Sequence, residues 1–376
     1  MMDKKNIFII AGESSGDQHA AAYIKEHLKV NKDISFVAFG QSEIKKTNAK
    51  VIYDTEDISV VGIIEVLYKY NKIIKALRTA KKYIYDNRPS LVVLVDYVEF
   101  NQKIARYAKS LNIPVLFYVA PQVWAWREKR SKKFLESIDH LAVIFPFEKV
   151  FFKKYTNNVS YVGHPLNNRY DLINSIKKYE NRTIDLGIFP GSRESEIKSN
   201  LFVMLDCIQK NKKEKIAIFY ADETSKYIIK QLLPEEYHKH LISGKDINQI
   251  SNCRKALCAS GTITLQLAIL DIPMVIMYKL SYLSYLIMKR LITVKHIGLV
   301  NLILGSTIGE KPIVKEFIQP TYNDQVDIMV ELNSIDNDER YRSEFFINYE
   351  EIRKKISEES TESLTSIAEK ILYPSV

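Results

Sequence analysis

An aspartate closes an apolar run in the first half of the chain, and its position suits proton transfer. Asp96 directly follows Leu91–Val95, five aliphatic residues that predict a buried strand. A carboxylate at the end of such a strand is partly desolvated, an environment in which side chains act as general bases. The alternative is that Asp96 forms a turn or caps a helix beginning near Phe100. The sequence leaves both interpretations open.

Other polar and aromatic residues follow the predicted strands of the first half. Parallel sheets bind ligands beyond the carboxyl ends of their strands, so we expect these side chains to converge. The two tryptophans, Trp124 and Trp126, could line a cleft or only close the end of the sheet. Besides Asp96, the candidates for catalysis are Glu13 and Glu99, and those for acceptor binding are Ser15, Asn101, Gln122, Trp124, Trp126, Arg127 and His164.

Two turns in the second half combine small residues with a predicted helix start. Gly191-Ser192-Arg193 follows the apolar run Ile184–Phe189, and Ser260-Gly261-Thr262 follows Ala256–Ala259. Backbone N–H groups at a helix start, with an arginine beside them, bind anions well. Two such turns in one domain fit the two ends of a nucleoside diphosphate, although both could be ordinary tight turns. Gln266 is a further candidate contact to this nucleotide.

Alternating strand and helix signals place these residues in an α/β fold. Short apolar runs separated by helical spacing predict an open parallel sheet in the first half, and a second series of the same kind begins at Ile184. The chain becomes polar between Asn167 and Arg182, which marks a domain boundary. We therefore predict doubly wound domains at residues 1–168 and 169–345, followed by helices over 346–376 that pack back across the domains.

The segment from Val60 to Arg88 combines an apolar patch with a basic amphipathic helix. Such a helix can bind an anionic membrane surface through its apolar side chains and its cations together. An ordinary surface helix with a solvated lysine face would show the same pattern. The residues predicted to contact a membrane are Val60, Ile63, Ile64, Leu67, Lys72, Lys75 and Arg78.

Composition narrows the class of protein. The chain has 376 residues, of which 46% are hydrophobic, and its formal net charge of +9 indicates an anionic partner. Its three cysteines have no paired spacing, and no group of histidines, cysteines and carboxylates has metal-ligand spacing. We expect no disulfide framework, no metal and no export signal, and hence a cytoplasmic protein.

Seven segments together resemble one enzyme family. They are Ala11–Asp17, Val61–Leu67, Val119–Arg127, Phe145–Lys149, Val162–Pro165, Pro190–Arg193 and Ser260–Thr262. The sequence is similar to lipid-A-disaccharide synthases over residues 7 to about 320, and Trp124–Arg127 together with Pro190–Arg193 is the most specific part of the match. The resemblance implies a GT-B-like fold, with two Rossmann-like doubly wound domains facing a cleft.

The resemblance also implies an inverting glycosyltransferase. The family joins UDP-2,3-diacylglucosamine to 2,3-diacylglucosamine 1-phosphate (lipid X), giving the β-1,6 disaccharide of lipid A and UDP. Asp96 matches the catalytic aspartate, and a helix start with Arg193 would meet the charge of the diphosphate without a metal or other cofactor. The lipid substrates imply a protein bound peripherally to the inner face of the inner membrane. No nucleic acid partner is expected, and a homodimer is left open.

The sequence departs from the family pattern at several points. Asp96–Asn101 lacks the usual proline, Gly40-Gln41-Ser42 replaces Gly-Gly-Pro, Gln266 stands where a glutamate is usual, and the segment from Gly305 to Lys311 is longer. Two other functions therefore stay under consideration. One is a non-hydrolysing UDP-sugar epimerase, which shares the two-domain architecture and the UDP-binding site with this family. The other is a non-catalytic UDP- or lipid-binding protein on the same fold.

Overall fold

The chain forms two compact units. The computed structural model describes residues 5–58, 63–121, 131–168, 170–210, 215–279, 296–305, 312–320, 324–357, 360 and 362–374. The first unit comprises Met1–Pro165 and Glu358–Val376, and the second comprises Leu166–Ser357. The division between Pro165 and Leu166 lies close to the boundary predicted at residue 168. The second division, after Ser357, lies beyond the boundary predicted at residue 345, because the helix Glu339–Ser357 belongs to the second unit.

The first unit is built on a parallel sheet with helices between its strands. The strands are β1 (Lys5–Ala11), β2 (Ile34–Gly40), β3 (Lys50–Asp54), β4 (Leu91–Val95), β5 (Val115–Tyr118), β6 (His140–Val143) and β7 (Val159–Tyr161). The helices among them are α1 (Ser14–Val30), α2 (Ser42–Lys45), α3 (Ile63–Asn87), α4 (Val98–Ser110), α5 (Ser131–Leu135) and α6 (Pro146–Phe152). Within the described residues, the strand order is β3-β2-β1-β4-β5-β6-β7. Every residue of β4 is buried, as expected for a strand covered on both faces.

The second unit repeats this architecture. Its strands are β8 (Ile184–Phe189), β9 (Ile216–Tyr220), β10 (Leu241–Ser243), β11 (Cys253–Ala259), β12 (Met274–Tyr278) and β13 (Glu316–Ile318). Its helices are α7 (Tyr170–Asn174), α8 (Glu194–Lys210), α9 (Glu223–Leu232), α10 (Ile247–Ile250), α11 (Thr262–Ile269), α12 (Leu299–Ile303), α13 (Asp324–Asn337) and α14 (Glu339–Ser357). The described strands are parallel and ordered β10-β9-β8-β11-β12-β13. Short 3₁₀ helices occur at Thr55–Asp57, Pro165–Asn168, Tyr179–Asn181 and Glu235–His240.

The strand order reverses direction once in each sheet. In the first unit the reversal lies between β1 and β4, and in the second it lies between β8 and β11. Open parallel sheets bind their ligands at such a switch point, beyond the carboxyl ends of the two strands. The topology therefore predicts one ligand site per unit, at the turns that follow these four strands.

The last helix of the chain returns to the first unit. This helix, α15 (Leu364–Leu372), packs against α1. The carboxylate of Glu369 contacts Nε2 of the buried His27 at 2.8 Å and accepts from Nδ2 of Asn31 at 3.1 Å. The predicted segment 346–376 is thus divided, since α14 belongs to the second unit and α15 to the first.

The first turn of α1 is tied to the start of α2. Helix α1 begins at Ser14, and Asp17 lies in its first turn. The buried carboxylate of Asp17 accepts from the N–H groups of Gln41 at 2.6 Å and Glu43 at 2.7 Å. Asp17 therefore satisfies N–H groups at the start of α2, a helix that packs against α1.

Candidate active site

The switch point of the first unit brings two of the predicted carboxylates to adjacent strand ends. Ala11 of β1 and Val95 of β4 are register partners in the sheet. Glu13 follows the first strand and Asp96 follows the second, and both side chains are partly exposed. The structure thus places the predicted base and a second carboxylate on neighbouring turns at the expected edge of the sheet.

The backbone around Asp96 is held in an unusual conformation. Asp96 and Tyr97 have φ angles of 50° and 46°, in the left-handed region. The N–H of Asp96 donates to the carbonyl of Tyr118 at 3.0 Å, and Nδ2 of Asn101 donates to the carbonyl of Asp96 at 2.7 Å. Helix α4 begins at Val98 with Tyr97 as its N-cap residue, so Asp96 does not cap this helix.

Asn101 was predicted to contact the acceptor, and its environment supports a different role. Its side chain is fully buried, and Nδ2 also donates to the carbonyl of Val95 at 3.2 Å. A buried amide that bonds two successive carbonyls fixes the backbone that carries Asp96. Glu99 and Ser15 are exposed, on the first turns of α4 and α1 respectively.

Tyr97 packs against the end of β1. A Cβ atom at Gly12 would lie 2.2 Å from Cδ1 of Tyr97, so only glycine fits beneath the ring. The hydroxyl of Tyr97 donates to the carbonyl of Ile58 at 2.7 Å. Burial, together with the charge of Glu13, raises the pKa of Tyr97 to about 12, so this hydroxyl keeps its proton at neutral pH.

Two histidines lie near the ends of the central strands. His164, a predicted acceptor contact, is buried, and its ring centroid lies 4.9 Å from that of Phe145. Sequence reasoning missed His19 of α1, whose ring centroid lies 5.8 Å from that of Tyr118. Burial lowers the pKa of His19 to about 4, and burial together with His19 lowers the pKa of His164 to about 3. Because both pKa values lie well below 7, both imidazole rings are neutral at pH 7.

The turn after β8 has the features expected of an anion site. Gly191 has a φ of 116°, and a Cβ there would lie 3.0 Å from Cβ of Glu196. Ser192 and Arg193 are exposed immediately before α8 begins at Glu194. Nη1 of Arg193 pairs with Oε1 of Glu196 at 2.9 Å. A cation and a helix start thus occupy the same turn.

The turn after β11 is open. Gly261 has a φ of 155°, and no atom lies within 4 Å of a Cβ built there. Helix α11 begins at Thr262, while Ser260 and Gln266 are partly exposed. Phe189 and Cys258 are register partners, so this turn and the turn after β8 lie side by side. The structure therefore brings the predicted nucleotide contacts together at the second switch point.

Sequence reasoning missed two buried amides of the second unit, of which Asn200 braces the turn after β8. Nδ2 of Asn200 donates to the carbonyl of Pro190 at 3.1 Å, and its Oδ1 accepts from the N–H of Lys279 at 3.0 Å. Asn301 donates to Oε1 of Glu316 at 2.6 Å, and that carboxylate also accepts from the N–H of Gly298 at 2.9 Å. Their partners lie far away in sequence, so no local pattern marks them.

Several predicted residues lie outside what the structure describes. Gln122, Trp124, Trp126 and Arg127 fall in 122–130, Val60 falls in 59–62, and part of the longer segment falls in 306–311. The side chains of Ile63, Ile64 and Leu67 are likewise outside the described part of α3. The cations of the predicted membrane contact are described, and Lys72, Lys75 and Arg78 are all exposed.

The fold and the two switch points define a class of protein, the GT-B-like fold with two Rossmann-like domains. The kitacinnamycin glycotransferase matches 98% of this chain and 99% of its own, with a TM-score of 0.59 at 11% identity. The UDP-GlcNAc 2-epimerase from Neisseria meningitidis, bound to UDP-GlcNAc, matches 94% of this chain and 97% of its own, with a TM-score of 0.58 at 12% identity. At such identities the likeness shows the fold alone, and it confirms the predicted fold class.

Sequence comparison gives the family. The model of the lipid-A-disaccharide synthetase family matches residues 7–371. The lipid-A-disaccharide synthase of Geobacter metallireducens is 35% identical over 327 residues, which cover 84% of each chain. That of Coxiella burnetii is 33% identical over 352 residues, which cover 91% of each chain. The chain belongs to the lipid-A-disaccharide synthetase family and is a glycosyltransferase of lipid A biosynthesis.

These findings confirm the resemblance and extend it beyond residue 320. They do not favour the epimerase alternative, because the epimerase structures share only the fold with this chain. A non-catalytic binding protein is not favoured either, since the relatives are synthases.

Across the described residues, no group of three or more histidine, cysteine, aspartate or glutamate side chains could hold a metal ion. No helix within the same ranges is long and apolar enough to cross a bilayer. A metal-free reaction and peripheral membrane binding stay predictions.

Proposed function

We propose that this protein transfers the acylated sugar of UDP-2,3-diacylglucosamine to the 6-hydroxyl of 2,3-diacylglucosamine 1-phosphate. Asp96 is the general base of this proposal. The observation that carries it is the position of Asp96 at the first switch point, beside Glu13 and on a backbone bonded from both sides. An aspartate at a ligand-binding edge, held but partly exposed, can reach an acceptor hydroxyl.

The reaction proceeds as one displacement. Asp96 takes the proton of the 6-hydroxyl as that oxygen attacks the anomeric carbon of the donor sugar. The bond between this carbon and the diphosphate oxygen breaks, and UDP leaves with the bonding electrons. Attack opposite the leaving group inverts the anomeric centre, which gives the β-1,6 linkage.

The second unit binds the UDP part of the donor in this proposal. Gly191, Ser192 and Arg193 on one turn face the diphosphate together with Ser260, Gly261 and Thr262 on the other. The guanidinium and the start of α8 stabilise the negative charge that grows on the leaving diphosphate, so no metal is needed. The same fold binds UDP-GlcNAc in the Neisseria meningitidis epimerase, which supports this assignment.

The acyl chains of both substrates place the reaction at a membrane surface. We therefore propose a cytoplasmic protein that binds the inner leaflet through α3. The exposure of Lys72, Lys75 and Arg78 along this helix supports the assignment. Each basic residue near an anionic surface contributes about 1 kcal/mol to binding.

A product assay tests the proposed reaction. Purified protein is incubated with both acyl sugars, and products are identified by mass spectrometry. A tetra-acyl disaccharide monophosphate and one equivalent of UDP are expected. UDP-GlcNAc given alone should be returned unchanged. Absence of disaccharide under all conditions would overturn the proposal, and epimerised UDP-GlcNAc would replace it with the epimerase function.

A further inference from the structure

The two residues at the end of β4 share a backbone conformation that side chains disfavour. Asp96 tolerates the left-handed region, whereas a bulky residue such as Tyr97 seldom adopts it. Two such residues in succession persist only where surrounding contacts hold them in place.

The side chain of Tyr97 contacts three separate segments. Its ring covers Gly12 after β1, and it stacks on the ring of Phe100 in α4 with centroids 5.4 Å apart. Its hydroxyl bonds the carbonyl of Ile58, which follows the 3₁₀ turn after β3. The aromatic ring is thus fixed by packing and the hydroxyl by a hydrogen bond, each to a different part of the chain.

We propose that Tyr97 is a positioning residue for the transfer reaction, because its clamped side chain holds the neighbouring Asp96 in the conformation that proton transfer requires. Asn101 bonds the carbonyl of Asp96, and Tyr97 is the residue that follows this carbonyl, so the two side chains hold the same peptide. Tyr97 itself exchanges no proton with the substrate. Its hydroxyl acts on Ile58, and its effect on the reaction passes through Asp96.

This inference rests on the proposed function, so its test must separate the two. The change Tyr97→Phe removes the hydroxyl and keeps the ring, and it is made in the wild type and in Asp96→Asn. Tyr83→Phe is the matched control, because the hydroxyl of Tyr83 also makes one hydrogen bond in this unit, accepting from Nδ2 of Asn6 at 2.8 Å. Turnover is followed with radiolabelled donor at high enzyme concentration, so that slow variants remain measurable.

In the wild type, Tyr97→Phe is expected to lower kcat about tenfold and to change KM for the donor by less than about twofold. In Asp96→Asn, the same change should lower the residual rate by less than about twofold, because residues that act as a unit are not additive. Tyr83→Phe should leave kcat within about twofold of the wild type.

Three results would overturn the inference. They are an unchanged kcat in Tyr97→Phe, an equal loss in both backgrounds, or an equal loss in the Tyr83→Phe control. If Asp96→Asn keeps the wild-type rate, the assignment of the base falls as well. If Asp96→Asn is strongly impaired and Tyr97→Phe still lowers its residual rate about tenfold, only the positioning role is overturned.

Discussion

Three of the five described non-glycine residues with positive φ in the first unit lie at or beside the candidate base, and the other two are Arg88 and Asn112. Asp96 and Tyr97 follow β4 in the left-handed region, and Val119, with a φ of 67°, follows the adjacent β5. A β-branched residue rarely adopts this conformation, and each such residue costs on the order of 1–3 kcal/mol. Backbone strain of this kind is common at functional sites, so these φ angles indicate a functional site at this edge of the sheet.

Replacing the base at this edge should stop the transfer. Asp96→Asn keeps the size of the side chain but removes the proton acceptor, so kcat should fall about 10²- to 10⁴-fold. UDP affinity, measured by calorimetry, should stay within about threefold, because the proposed nucleotide site lies on the other unit. Retention of more than about a tenth of the rate would direct attention to Glu13 or Glu99 instead.

Arg193, the cation in the turn after β8, gives a second prediction. Arg193→Ala removes a charge-assisted contact to the diphosphate, so UDP affinity and turnover should each fall roughly 10- to 100-fold. Arg254→Ala is the control, because Arg254 makes a surface ion pair with Asp185 at 3.5 Å, away from the turn. Turnover of the wild type should be unchanged by EDTA, and a loss on chelation would contradict the metal-free mechanism.

Among the helices, α3 carries the membrane prediction. Changing Lys72, Lys75 and Arg78 to glutamate reverses three exposed charges, so binding to vesicles with anionic lipid should fall by at least about tenfold. Binding of the wild type should weaken as salt rises, because surface charges are screened. The measurement is co-sedimentation with vesicles of neutral or anionic lipid.

A matched variant controls for net charge. Lys230, Lys239 and Lys245 are exposed on the second unit, and their change to glutamate alters the net charge by the same amount. This control should retain vesicle binding. Equal losses in both variants would show that α3 is only a solvated surface helix.

Strands were predictable where the chain carries a long apolar run. The predicted bounds of β4 and β8 match the structure. Aliphatic side chains cover both faces of β4 and one face of β8. Strands β3 and β13 were not predicted. No residue of Lys50–Asp54 is fully buried, and Glu316–Ile318 spans only three residues, so neither contains a long apolar run.

The position of the candidate site was also predictable, but the residues that hold its backbone in place were not. Asp96, Gly191 and Gly261 follow strands in sequence, and a parallel sheet brings such turns to one edge. Asn101 and Asn200 instead bond main-chain groups that only the folded chain brings near. Whether a polar residue faces a ligand or the backbone depends on those contacts, which local spacing does not encode.

The polar stretch interpreted as a domain boundary shows that burial, too, is not encoded in local polarity. It ends at Arg182, which is among the largest fully buried side chains of the described residues. The guanidinium donates to the carbonyls of Lys177 and Asp271 at 2.8 and 2.9 Å. Arg182 thus lies in the core of the second unit, although it ends a polar stretch. Its burial is tolerated because main-chain acceptors surround the guanidinium.

Acid should destabilise the whole molecule through two histidines of the first unit. His19 and His164 have pKa values of about 4 and about 3, below the ordinary 6.5. The unfolded chain therefore binds these protons first, so stability is full above pH 6.5 and is lost as pH falls toward those values. Each histidine contributes a slope of up to about 1.4 kcal/mol per pH unit.

Urea unfolding of the first unit between about pH 7 and about pH 4 measures this slope. His164→Gln should reduce the slope of the unfolding free energy against pH on the acid side, because a glutamine side chain does not titrate. Phe145→Leu changes the packing around the same ring without removing a titrating group, so it should lower stability equally at each pH. Identical slopes in the wild type and His164→Gln would contradict the prediction.

The return of α15 to the first unit sets an order on synthesis. The ribosome makes Leu166–Ser357 after most of the first unit and before the helix that completes it. At about 5 to 20 residues per second, roughly 10 to 40 seconds pass between the two. During that interval the nascent first unit lacks Glu369, the partner of His27 and Asn31 on α1. The first unit can therefore complete its packing only after the whole second unit has been synthesised, although most of its own codons come first in the message.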